Sequence, residues 1–109
     1  MSVRVDPSRV DERLLGRDFV YVLTVRDEGV HAVAHRYAVD GAVVSVATAS
    51  RSVKDRMAVD NRVTLLWPPV AAPLDEYDDY SLVADGTGDV MDGTLRITLA
   101  SVLLHRPAS

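Results

Sequence analysis

The 109-residue sequence contains no cysteine, a single lysine, a single tryptophan and a single phenylalanine. Without cysteine there are no disulfides, no thiolate metal sites and no thiol nucleophile, and nothing argues for secretion. No apolar run approaches the roughly 18 residues that would suggest a membrane-spanning helix. The opening stretch Met1-Ser2-Val3-Arg4-Val5-Asp6-Pro7 lacks the apolar core of a signal peptide, so a cytoplasmic location is expected. Basic residues are scattered along a chain of net charge −4, and the basic patch typical of nucleic-acid binding is missing. The expected partners include neither nucleic acid nor membrane.

What remains is the composition of a folded domain, with 48% hydrophobic and 26% charged residues. The length fits one domain spanning residues 1–109. A chain this short buries a modest share of its surface, so a sizeable ligand site is expected to borrow a second subunit.

Asp6-Pro7 reads as a helix start, with the carboxylate as cap and proline in the first turn, where its missing N–H costs little. Val10, Leu14 and Leu15 would supply its apolar stripe, and Gly16 its end. Phe19 to Arg26 is β-branched and aromatic and apolar on both faces, which predicts a strand covered on both sides. Asp27-Glu28-Gly29 is a hairpin loop. Val30 to Val39 could be helical by composition, but the flanking turns and the alternation of large residues with alanine favour a strand. Ala42 to Thr48 completes a meander. A second helix is expected from Ser50 or Ser52 to about Asp60, with Val53 and Met57 facing the sheet. Arg62 to Trp67 is a strand stopped by Pro68-Pro69. A proline-rich, then acidic loop leads to a strand from Tyr80 to Met91, where Gly86 and Gly88 mark a bulge or bend. Asp92-Gly93 turns into the last strand, Leu95 to Leu104. Six antiparallel strands and two short helices predict a mainly β protein, a closed or nearly closed barrel.

The order of these elements resembles the pyridoxamine 5'-phosphate oxidase-like family of FMN-binding split barrels. The resemblance is carried by Leu23-Thr24-Val25 leading through Gly29 to His31-Ala32-Val33-Ala34, Asp40-Gly41, Val43 to Thr48, Ser52-Val53-Lys54, Asn61 through Trp67, and Tyr80 through Thr87. Each motif alone is weak, but their order spans roughly residues 17 to 105. The resemblance implies a six-stranded split barrel, a homodimer, and FMN in a groove shared by two subunits. It places the flavin phosphate at Thr48, Arg51, Ser52 and Lys54. Trp67 and Tyr80 could stack on the ring, although aromatics beside a proline-ended strand more often simply pack. The resemblance further implies an oxidoreductase of unknown substrate. A deazaflavin in place of FMN, or a non-catalytic module for a flavin or haem-type ligand, are the alternatives. The tryptophan–arginine segment of the true oxidases has no counterpart here, so oxidation of pyridoxamine phosphate itself is not expected.

Independent chemistry agrees on the anion corner. Free N–H groups at a helix start attract anions, and Arg51 and Lys54 add positive charge there, although a capped, solvated helix end would look the same. His31 and His35 would share one helix face, but on a strand they stand roughly 13 Å apart, so no metal is expected. A nucleophile elbow of the Gly-x-Ser-x-Gly kind is absent, and Asp75-Glu76-Tyr77-Asp78-Asp79 lacks the pattern of a calcium loop.

Overall fold

The computed structural model describes residues 2–47, 51–70 and 79–106. Eight strands form one antiparallel sheet: β1 (Ser2–Val5), β2 (Val20–Arg26), β3 (Gly29–His35), β4 (Ala38–Asp40), β5 (Val43–Ala47), β6 (Arg62–Trp67), β7 (Ser81–Met91) and β8 (Thr94–His105). A 3-10 helix, Pro7–Arg13, precedes β2, and α1 (Arg51–Val59) joins β5 to β6. The sheet order is β3-β2-β6-β7-β8-β5-β4, with β1 attached to β8. Its end strands are not paired with each other, so the sheet surrounds one core without closing.

Alternation places that core. Val20 and Val22 of β2, Val63, Leu65 and Trp67 of β6, and Leu82 and Ala84 of β7 all point inward, as a period of two requires. In β8 the phase resets: Leu95, Ile97 and Leu99 are buried, then Val102 and Leu104. The cause is a bulge, because Asp85 pairs with Ser101 while Gly86 pairs with Leu99, leaving Ala100 as the extra residue. The bulge divides the far edge of β8 between β5, at Val43–Ala47, and β1, at Ser2–Val5. At Gly86 the strands approach so closely that a Cβ would lie 2.3 Å from the Thr98 carbonyl oxygen.

The two-residue turn Asp92-Gly93 has positive φ at both positions, 52° and 74°, as the right-handed twist of a hairpin favours. Asp6 caps the first helix by accepting from the Ser8 N–H at 2.9 Å and the Ser8 hydroxyl at 2.8 Å. That helix is of the 3-10 type and loses helical geometry at Arg9; its stripe is Val10 and Leu14, while Leu15 is exposed.

Two strands more than expected are present. β1 is a four-residue segment whose Val3 and Val5 are half-buried against the core, too short to announce itself. The expected strand Val30–Val39 is extended, not helical, but breaks at Arg36-Tyr37. There the Tyr37 ring packs edge-on against Trp67, centroids 5.6 Å apart, and its hydroxyl donates to the Arg17 carbonyl. The outer face of β2 is uncovered in the single chain, with Phe19, Tyr21 and Val25 exposed.

Candidate functional site

A cavity of about 290 Å³ lies between the β2–β3 hairpin and α1. Period-two alternation supplies its first wall: Val22, Thr24 and Arg26 from β2, and His31, Val33 and His35 from β3, with Thr24 opposite His31 and Val22 opposite Val33. The helical repeat supplies the second wall, because Ser52, Val53, Arg56 and Met57 share one face of α1. Val46 and Leu95, a cross-strand pair of β5 and β8, complete the lining. Gly88 sets how closely the helix sits, since a Cβ there would meet Met57 Sδ at 2.7 Å.

The cavity thus has an apolar interior and four nitrogen-bearing cationic or imidazole side chains, Arg26, Arg56, His31 and His35. Among the described residues no carboxylate lines it. The Nε atoms of Arg26 and Arg56 are buried and have no hydrogen-bond partner among the described residues. Asp60, one turn beyond Arg56, feels its charge but is committed elsewhere. Its carboxylate accepts from Arg62 Nη2 at 2.8 Å, Arg62 Nε at 3.0 Å and the Arg62 N–H at 3.1 Å, which holds its pKa well below the usual carboxylate range.

Two larger hollows differ in this respect. One, of about 350 Å³, contains Asp60, Arg62, Thr64 and Asp85, whose polar groups satisfy one another; Thr64 donates to Asp85 at 2.7 Å. The other, of about 420 Å³, runs along Gly16–Phe19 and Pro68–Val70. There Arg17 is already engaged, donating to the carbonyls of Arg13 at 2.9 Å and Pro68 at 2.8 Å. The smaller cavity differs in that, among the described residues, buried arginine Nε atoms without hydrogen-bond partners occur there.

The residues expected to hold a cofactor are dispersed around this cavity. Ser52 lines it. Arg51 and Lys54 are exposed on the first turn of α1 and are not among the lining residues. Trp67 is fully buried in the core, against Tyr37, and is not a lining residue either. Thr48, the Ser50 cap and residues 75–78 of the acidic loop lie outside the described residues. Arg26 and Arg56 were missed from sequence; the inward phase of β2 (Val22, Thr24, Arg26) and the Ser52–Arg56 spacing were the available signals. His31 and His35 lie on one face of β3 as strand residues, and among the described residues no group of three metal-ligating side chains occurs. No helix among the described residues is long and apolar enough to cross a membrane.

The fold has clear relatives among solved structures. An FAD-binding protein of Mesorhizobium loti superposes with a TM-score of 0.68 at 12% identity, covering 97% of this chain and 99% of that one. A candidate pyridoxamine 5'-phosphate oxidase of Listeria innocua gives 0.62 at 9% identity, with coverage of 90% and 96%. A protein described as an F420 reductase gives 0.56 at 18% identity, with coverage of 83% and 91%. The chain therefore has the split-barrel fold that these three proteins share. No family model matches the chain. Uncharacterised proteins of Mycobacterium bovis and Mycobacterium tuberculosis are each 33% identical to it over 123 aligned residues, covering 97% of this chain and 83% of theirs. The chain belongs to one family with these two mycobacterial proteins.

Proposed function

We propose that the chain binds a flavin-type cofactor, FMN in the first place, in the cavity between β2–β3 and α1, and acts as a flavin-dependent oxidoreductase. The observation that carries this reading is the chemistry of the lining. Val22, Val33, Val46, Met57 and Leu95 offer apolar surface to a planar ring, while Ser52, Arg26 and Arg56 offer donors to an acidic tail. Among the described residues no lining carboxylate would repel that tail. Arg51 and Lys54, at the outer start of α1, add long-range attraction. The cofactors named for the Mesorhizobium protein and the F420 reductase are of the same general chemistry, a flavin or deazaflavin ring with an anionic extension. When bound, such a ring supplies hydride transfer; the side chains here bind it, orient it and exclude water.

A second copy of the chain would cover the outer face of the hairpin whose inner face lines the cavity. Val25 and Val30 are about two-thirds exposed, and Tyr21 and Phe19 nearly half, on the hairpin that forms one cavity wall. A two-fold contact would cover this apolar surface. One observation favours a non-catalytic binding module as the second reading: apart from its arginines, the lining among the described residues holds only His31 and His35 as proton-transfer groups.

The visible absorbance of the purified protein, before and after addition of a reduced nicotinamide, tests the proposal. A flavin-type band that bleaches supports the oxidoreductase. A band that persists favours the binding module. A colourless protein that takes up neither FMN nor a deazaflavin overturns the proposal.

A further inference from the structure

Two arginines that no sequence motif singled out face the same cavity from opposite walls. Arg26 ends β2, and Arg56 lies on the cavity face of α1. Each has a buried Nε with no hydrogen-bond partner among the described residues. Both side chains are only partly buried, but leaving a buried N–H donor without an acceptor is costly, and two like charges beside one cavity repel each other. His31 and His35 bring further ring nitrogens, and among the described residues no lining carboxylate offsets the two arginines. Asp60, the carboxylate that senses Arg56, is held by three hydrogen bonds from Arg62. A set of donors arranged in this way matches an anion with several acceptor oxygens.

We propose that Arg26 and Arg56 form an anion seat inside the cavity, taking a phosphate-class group from both walls at once. The seat is separate from the exposed Arg51 and Lys54 at the helix start, which do not line the cavity. This inference rests on the flavin-type reading for the identity of the ligand, but not for the chemistry of the seat. The anion comes either from the cofactor itself or from a second, acidic ligand bound beside it. A guanidinium–phosphate contact is charge-assisted and can be bidentate, so removing one arginine should weaken binding about ten- to hundredfold.

The test uses calorimetric titration of the full chain with FMN, riboflavin and inorganic pyrophosphate, in the unmodified protein, Arg26→Gln, Arg56→Gln and Lys54→Ala. Circular dichroism first confirms that each variant is folded. The expected result is that either arginine change weakens FMN and pyrophosphate about tenfold or more, leaves riboflavin nearly unchanged, and exceeds the effect of Lys54→Ala. That pattern assigns the seat to the cofactor's own phosphate. Pyrophosphate weakened with FMN unaffected assigns the seat to a second acidic ligand. Pyrophosphate bound in an arginine-dependent manner, with no flavin binding, keeps the seat and removes the flavin reading. FMN bound equally by all variants, with pyrophosphate indifferent to both arginines, overturns the seat and leaves the flavin reading standing.

Discussion

Replacing Gly86 by alanine tests the packing account at its tightest point. The new Cβ would lie 2.3 Å from the Thr98 carbonyl oxygen, 3.0 Å from the Thr98 carbonyl carbon and 3.2 Å from Ile97 Cγ2. The first two are backbone atoms of β8, so no rotamer change relieves the clash. The strands must separate by about an ångström at the bulge between Asp85 and Gly86, where β7 and β8 hold Leu82, Ala84, Ile97 and Leu99 in the core. Overpacking of this kind costs about 1–3 kcal/mol and sometimes more, while the stiffer unfolded chain returns roughly 0.4–1 kcal/mol. The expected net loss is about 2 kcal/mol, a fall of roughly 1–2 M in urea midpoint at unchanged slope. Trp67 is the sole tryptophan and fully buried, so its fluorescence follows unfolding directly. Gly41→Ala is the control for a different cost: nothing lies within 4 Å of its Cβ position, but its φ of +58° is strained for alanine, by about 1–2 kcal/mol. A midpoint for Gly86→Ala equal to that of the unmodified protein would refute the close approach of β7 and β8.

Met57→Ala empties the contact between α1 and the sheet and should cost about 2–5 kcal/mol in urea unfolding, with weaker cofactor uptake because one cavity wall is loosened. Tyr37→Phe removes the hydroxyl that donates to the Arg17 carbonyl and should cost about 1 kcal/mol. Burial raises the pKa of Tyr37, with the neighbouring Trp67 opposing the shift, so its neutral form is favoured on folding. Its contribution is present below the unfolded value of about 10 and is lost as pH rises through the folded value, so Tyr37→Phe should flatten the alkaline limb of a stability–pH curve. Asp60 behaves oppositely: bonds from Arg62 lower its pKa, so its contribution is present above about pH 4 and is lost as pH falls below that. Asp60→Asn should flatten the acid limb, less so in high salt because the pair is exposed. Sedimentation of the unmodified protein at micromolar concentration should show a dimer, and Val25→Asp with Val30→Asp a monomer; a monomer in both cases removes the shared-groove model.

Much of the fold was legible because local signals and burial agreed. Arg62–Trp67 alternates cleanly and is stopped by two prolines, so its ends coincide with those of β6. Asp92-Gly93 marks its turn by chemistry that few other dipeptides share. Gly86 and Gly88 pointed to the irregularity in β7, though the extra residue, Ala100, belongs to the partner strand and is visible only in the register. β1 was hidden because its apolar stripe is only two residues, Val3 and Val5, too short a pattern to mark a strand. The break at Arg36-Tyr37 was hidden because its causes, Trp67 and Arg17, are distant in sequence.

The site was less legible for the same reason. Sequence reasoning located the start of α1 from its hydroxyl and basic residues, but which of them face a cavity depends on the rotation of the helix against the sheet. Met57 and Gly88 fix that rotation through a tertiary contact. It turns Ser52 and Arg56 inward and leaves Arg51 and Lys54 outside the lining. Arg26 could be identified only by continuing the inward phase of β2 past its apolar residues.

The central claim, that the cavity between β2–β3 and α1 receives a flavin-type cofactor, is tested most directly by mapping the contact. Backbone amide spectra of the isotope-labelled protein, recorded during titration with FMN, report every residue whose surroundings change. The account predicts saturable shifts concentrated at Val22–Arg26, His31–His35 and Ser52–Met57, the three segments that line the cavity. Shifts centred instead on Asp60, Arg62 and Asp85, or no saturable shift with either FMN or a deazaflavin, would contradict it.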